Sequence, residues 1–261
     1  MKNEAVNLFI DSGIGGITTM LQTQKLLKNE NFVYVADFKN APYGNKTKQE
    51  IKKIVTDNIK KFYAEFCLKS VVIACNTATA GAIFEVRKQF PNLVVIGAEP
   101  AIRPAIQSGK KRILVLGTKF TLKHSGLVKL FKGNPQCLIK FLALPELATL
   151  IDENYMSNPQ KIQSYLVEKL AKLKGEFDGV VLGCTHFVIV GKAIKNILGY
   201  VTLFNGNFGI AKRLRECLDI LSLTNNNQGS VTLVSTEPSK NYLLLKYHQE
   251  LTKRRDELCA V

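Results

Sequence analysis

Apolar runs rich in β-branched residues alternate along this chain with stretches whose apolar positions recur at helical spacing. Continuous runs bounded by turn formers read as strands buried on both faces of a parallel sheet. They fall at 6–10, 32–36, 71–74, 93–97, 112–116, 180–183, 201–204 and 231–234, with a weaker run at 136–144. The intervening periodicity predicts helices over 17–27, 46–66, 78–89, 145–153, 159–174, 190–198 and 210–221. Strand and helix in alternation argue for an α/β fold built on parallel sheets. No low-complexity tract separates two domains, and the last strand and helix can rejoin the first sheet. The expected division is therefore residues 1–97 with 206–261 as a discontinuous first domain, and 98–205 as a second.

Two of the strands end alike. Val71-Val72-Ile73-Ala74-Cys75-Asn76-Thr77-Ala78 and Val180-Val181-Leu182-Gly183-Cys184-Thr185-His186-Phe187 each run into a cysteine and then a threonine. Ligands of parallel sheets sit beyond the carboxyl ends of the strands, so both thiols are expected at a shared cleft. A third strand runs into Asp11-Ser12-Gly13-Ile14-Gly15-Gly16. Its glycines permit a sharp turn and close approach, and Ser12 and the following amides are expected to cap the next helix and offer an anion site. The turn lacks the spacing of a dinucleotide fingerprint and the lysine of a P-loop, so a carboxylate or small phosphate is the expected guest. Ala41-Pro42-Tyr43-Gly44 makes a further turn with an aromatic hydroxyl near its tip.

Composition narrows the class. The 261 residues are 46% hydrophobic and 22% charged, enough to bury a sizeable core. The start, Met1-Lys2-Asn3-Glu4, leads into a strand-like segment without a signal-peptide core, and no apolar stretch reaches the roughly 18 residues of a membrane helix. A cytoplasmic protein is expected. The six cysteines have no metal-ligand spacing, so reduced thiols and no metal are expected. A formal charge of +15 would suit nucleic acid or small anions, but the lysines are scattered and not interleaved with aromatics, which disfavours nucleic acid.

Opposed thiols can move a proton without a cofactor. A thiolate is a good base once its pKa falls from about 8.5 toward neutrality, and a helix N-terminus after each cysteine would favour it. Asp11 and His186 are placed to orient a thiol or take its proton. One thiolate then removes a proton from a carbon acid while a thiol on the opposite face returns one, inverting the centre.

Taken together and in order, Asp11-Ser12-Gly13-Ile14-Gly15-Gly16, Pro42-Tyr43-Gly44, Ala74-Cys75-Asn76-Thr77-Ala78 and Gly183-Cys184-Thr185-His186-Phe187 resemble the motif set of the glutamate racemases, in the cofactor-independent aspartate/glutamate racemase superfamily. Glu99-Pro100 and Leu116-Gly117-Thr118-Lys119 extend the likeness. The resemblance implies two pseudo-twofold related α/β domains with the active site in the cleft between them. It implies Cys75 and Cys184 as the acid/base pair, Cys184 taking the α-proton of L-glutamate and Cys75 that of D-glutamate. Asp11, Ser12, Tyr43, Gly44, Asn76, Thr77, Thr185 and His186 match positions that hold substrate or assist the thiols. The product would feed peptidoglycan, no cofactor is needed, and a homodimer is expected. Three positions depart from the pattern: Phe187-Val188-Ile189 replaces a proline–leucine continuation, Phe204-Asn205-Gly206-Asn207 stands for an Asp-Ser-Gly stretch, and Asp152 stands where glutamate is usual. An aspartate or broad-specificity racemase stays open, as does, from another class, a non-catalytic binder of an acidic metabolite or of nucleic acid.

Overall fold

The structure, a computed structural model, describes residues 5–124, 136–225 and 228–260. Residues 1–4, and positions 226 and 227 of the polar break at 224–229, lie outside the described part. The strands are β1 (Val6–Asp11), β2 (Phe32–Ala36), β3 (Leu68–Ile73), β4 (Val94–Gly97), β5 (Arg112–Gly117), β6 (Leu138–Ala143), β7 (Gly179–Gly183), β8 (Thr202–Phe204) and β9 (Val231–Ser235). They form two parallel sheets, in the orders β4-β3-β1-β2-β9 and β6-β5-β7-β8. The runs at 32–36, 68–73 and 179–183 are buried at every position, as strands covered on both faces must be.

The helices are α1 (Ile17–Leu26), α2 (Lys48–Glu65), α3 (Asn76–Gln89), α4 (Ile102–Gln107), α5 (Lys119–His124), α6 (Leu147–Asn154), α7 (Pro159–Leu170), α8 (Thr185–Ile189), α9 (Gly191–Leu198), α10 (Asn207–Ile220), α11 (Asn241–Lys253) and α12 (Arg255–Cys259). Helix α3 starts two residues before the periodicity predicts because Cys75 serves as its N-cap, its sulfur accepting from the Ala78 amide at 3.5 Å. Helix α8 supplies the helix start expected after Cys184, whereas α4, α5, α11 and α12 were not expected. Three of these four have six residues or fewer, too few for a 3.6-residue period to declare itself.

One apolar cluster joins the two halves, running from Phe9, Met20 and Tyr34 to Leu116, Leu182 and Phe187. It brings the carboxyl ends of the two sheets together. Asp11 ends β1 beside β3, while Gly117 of β5 pairs with Gly183 of β7, so Cys75 and Cys184 follow central strands in their own sheets. At the opposite end of the first sheet, Lys69 and Glu30 form a buried ion pair of 2.6 Å. The Lys69 ammonium also donates to the Leu223 carbonyl at 2.5 Å, and the Asn225 amide donates to Glu30 at 2.8 Å, so the segment leading to β9 is fastened to the sheet base. Among the described residues no helix is long and apolar enough to cross a membrane.

Candidate active site

The turn from β1 into α1 is built for close packing. A Cβ on Gly13 would lie 2.5 Å from an Asp152 carboxylate oxygen and 2.8 Å from His186 Nε2. One on Gly15 would collide with the Thr185 hydroxyl and lie 2.5 Å from the His186 amide. Only hydrogen at these positions lets α8 lie against the turn. The amides of the turn are occupied from within the protein: Gly13 N donates to Asp11 Oδ1 at 3.1 Å and Ile14 N to Asp152 Oδ1 at 3.2 Å. Helix α1 begins from Gly16 without a side-chain cap. Ser12 therefore does not cap the helix, contrary to expectation, and the amides of Gly13 and Ile14 hold the protein's own carboxylates in place of an outside anion.

Ser12 turns toward sulfur instead. Its hydroxyl lies 3.8 Å from Cys75 Sγ and 3.5 Å from Asp11 Oδ1. The other Asp11 oxygen accepts from the Thr185 hydroxyl at 3.0 Å, across to the residue after Cys184. His186 sits with Nδ1 3.9 Å from Cys184 Sγ and Nε2 3.0 Å from Asp152 Oδ1. Asp11, Ser12, Cys75, Cys184, Thr185 and His186 thus form one buried cluster. Thr77 joins at its edge through a ring of hydroxyls, 2.9 Å to Thr118 and 3.1 Å to Thr121, that bridges the halves. Gly44 packs there as well, since a Cβ on it would lie 3.3 Å from Thr118 Cβ.

Two of the expected side chains are engaged elsewhere. The Tyr43 hydroxyl donates to Asp37 at 2.5 Å, and Asn76 Nδ2 donates to the Ala98 carbonyl at 3.2 Å. Sequence reasoning missed Asp37, which follows β2 directly and also accepts from Asn58 and Thr236. It treated Asp152 as a departure only, although its carboxylate touches both the glycine turn and His186. Of the other departures, Val188 is buried in the core, and Asn205 accepts from the Asn207 amide at 2.8 Å.

Charge is unevenly shared. Burial pushes the Asp11 carboxyl up, against the pull of His186, the Gly13 amide and Thr185. Burial, and then the charge of Asp11, push the Cys75 thiol up; the Ala78 amide and Ser12 oppose this, and a charge on Cys184 would add to it. The expected descent of a thiol toward neutrality therefore does not occur at Cys75, because an adjacent helix amide is outweighed by desolvation and a neighbouring carboxylate. Burial opposes charge on His186, but the Asp152 carboxylate, with its hydrogen bond, and Cys184 override it and hold the imidazole well above its ordinary range. The two thiols thus have unlike neighbours: a carboxylate and a hydroxyl beside Cys75, an imidazolium beside Cys184. Such a pair suits proton transfer on opposite faces of one carbon. Among the described residues, no group of three His, Cys, Asp or Glu side chains could hold a metal ion.

Residues 20–207 match the family model of the Asp/Glu/hydantoin racemases. The chain is 36% identical over 245 residues to the glutamate racemase of Clostridium kluyveri, covering 92% of this chain and 95% of that one. It is 36% identical over 234 residues to glutamate racemase 2 of Bacillus subtilis, covering 87% of each. The fold superposes on the crystal structure of a glutamate racemase isoform from Bacillus anthracis with a TM-score of 0.80 and 27% identity, covering 97% of this chain and 94% of that one.

Proposed function

Because this chain belongs to the Asp/Glu/hydantoin racemase family, and within it to the glutamate racemases, we propose that it interconverts L- and D-glutamate by passing the α-proton between two thiols. One observation carries this. Cys75 and Cys184 follow inner strands of separate sheets, and one carboxylate, Asp11, lies between Ser12, whose hydroxyl is 3.8 Å from Cys75, and Thr185, the residue after Cys184.

From L-glutamate, Cys184 as thiolate takes the α-proton and Cys75 as thiol delivers one to the opposite face. One C–H bond becomes S–H and one S–H becomes C–H; from D-glutamate the roles reverse. The His186 imidazolium faces Cys184, and burial together with the charge of Asp11 keeps the proton on Cys75. The starting state returns when Cys184 gives up the proton it took and Cys75 gains one, a net transfer of one proton that exchange with solvent completes once product has left. Negative charge gathers on the substrate carboxylate as the α-carbon becomes planar, and donors already in place lower that barrier. Ser12, Thr77 and Thr185 offer hydroxyls. Asn76, whose side chain is committed to Ala98, offers its backbone amide at the start of α3. Tyr43, bound to Asp37, sets the position of Gly44.

We further assign residues 1–97 with 206–261 to one domain and 98–205 to the other, with the substrate between them. The return of β9 to the first sheet and the packing of α10 on α1 support that division. We place the enzyme in the cytoplasm, as a homodimer supplying D-glutamate for peptidoglycan and so for cell shape.

Pure protein incubated with L-glutamate in deuterated buffer is expected to yield D-glutamate labelled at the α-carbon. Cys184→Ser should cut this by about a hundredfold or more while far-UV circular dichroism stays unchanged. Neither D-isomer nor exchange from folded protein would end the proposal, and equal turnover efficiency on aspartate would widen the substrate class.

A further inference from the structure

His186 and Asp152 face one another from two short helices. Helix α6, carrying Asp152, has eight residues, and α8, carrying His186, has five. Segments of that length do not hold a helical conformation unaided, and the last carbonyls of each lack partners within the helix. Both ends are closed by side chains from one distant element. The Tyr247 hydroxyl, on α11, donates to the carbonyl of Asp152 itself at 2.7 Å. At the end of α11, the Arg254 guanidinium is hydrogen-bonded to the hydroxyl of Tyr155, the residue that closes α6. The same group reaches the carbonyl of Ile189, the last residue of α8, at 3.5 Å. Glu257 holds the guanidinium in place with contacts of 2.8 and 3.2 Å.

The pair has little slack to absorb a shift of either helix. A single Asp152 oxygen serves both His186 Nε2 at 3.0 Å and the Ile14 amide at 3.2 Å. A carboxylate on a one-carbon stem follows its backbone closely, so a small rotation of α6 would open both contacts.

We infer that Tyr247 and Arg254 are positioning residues that cap α6 and α8 and thereby hold Asp152 against His186. The effect on turnover rests on the proposed role of His186 beside Cys184; the effect on the pair does not. The charged or titratable groups facing the imidazole are Asp152, Cys184 and Asp11. Because burial alone disfavours the imidazolium, loosening Asp152 moves its titration to lower pH.

The chain has three histidines, so the His186 ring can be followed by NMR as pH is varied. Tyr247→Phe removes one hydroxyl and nothing else. It is expected to lower the His186 titration midpoint by roughly half a unit or more and kcat by about threefold to tenfold, with KM within about twofold. Asp152→Glu, with its longer reach, should restore part of the loss in the Tyr247→Phe background. Tyr242→Phe, an exposed site on the same helix, is the control and should change neither quantity. Should Tyr247→Phe fail to fold, Arg254→Lys and Tyr155→Phe interrupt the same cap. A folded variant with a lower Tm but an unmoved His186 titration overturns the inference, because the contact is then only structural. A shifted titration with unchanged kcat supports the positioning role and counts instead against His186 in the proposed reaction.

Discussion

At Asp152 one oxygen does two jobs: it anchors the glycine turn and keeps His186 charged. The folded-state pKa of His186 lies above its unfolded value, near 6.5. The contribution of the raised His186 pKa is therefore fully present below about pH 6.5 and is lost as pH rises through the raised value. Asp152→Asn is expected to cost about 2 kcal/mol at pH 5.5, and the cost should fall as pH rises through the raised His186 value, read from urea midpoints across a pH series. A penalty independent of pH would show that His186 is not charged in the fold. Little of this was legible beforehand. The two cysteines, Asp11, Ser12 and His186 stand at strand ends, where a buried apolar run draws the eye to the polar residues after it. Asp152 lies on a helix among Leu150, Ile151 and Glu153, and periodicity alone does not tell an inward polar residue from a solvated one. Asp37 stood at a strand end too, but its donors come from residues 40, 43, 58 and 236, which only the fold assembles.

Among the elements, α8 depends on the turn beneath it. Gly15→Ala places a methyl group against the Thr185 hydroxyl and the His186 amide, neither of which can retreat without lifting the helix that carries them. The expected cost is about 1–3 kcal/mol of stability from overpacking, with a fall in racemisation greater than the stability loss explains, since Thr185 and His186 move together. Thermal unfolding and D-glutamate formation measured on one preparation check both; full activity with a lowered Tm would separate the turn from the site. The strand pattern forecast most strands to within two or three residues because runs buried on both faces are unambiguous. Helix α11 escaped notice although Leu244, Tyr247 and Leu251 keep helical spacing. The exposed Tyr242 and Leu245 interleave with them and blur the apolar stripe.

For the molecule as a whole, the base of the first sheet is secured by charge. Lys69 and Glu30 are buried, at 4% and 2% side-chain exposure, so removing one leaves the other uncompensated in a low-dielectric interior. Lys69→Met is expected to cost about 3–5 kcal/mol in urea unfolding, and adding Glu30→Gln, which removes the charge but keeps an oxygen to accept from Asn7 or Asn225, should recover much of that. No recovery in the double variant would mean that the lysine acts through its stem packing and not its charge. The α/β class followed from alternation, but strand order did not. Nothing local marks β1 and β3 as central or β9 as an edge, because those places are fixed by pairings between distant segments such as Phe32 with Val231.

That last pairing has a consequence for biosynthesis. Both sulfurs follow strands that a ribosome delivers well before the stretch from Val231 to Cys259, which supplies an outer strand and the stoppers for two short helices. A nascent polypeptide therefore carries both reactive atoms before the tyrosine and arginine that brace the helices beside them, and the site is complete only once those two have been added.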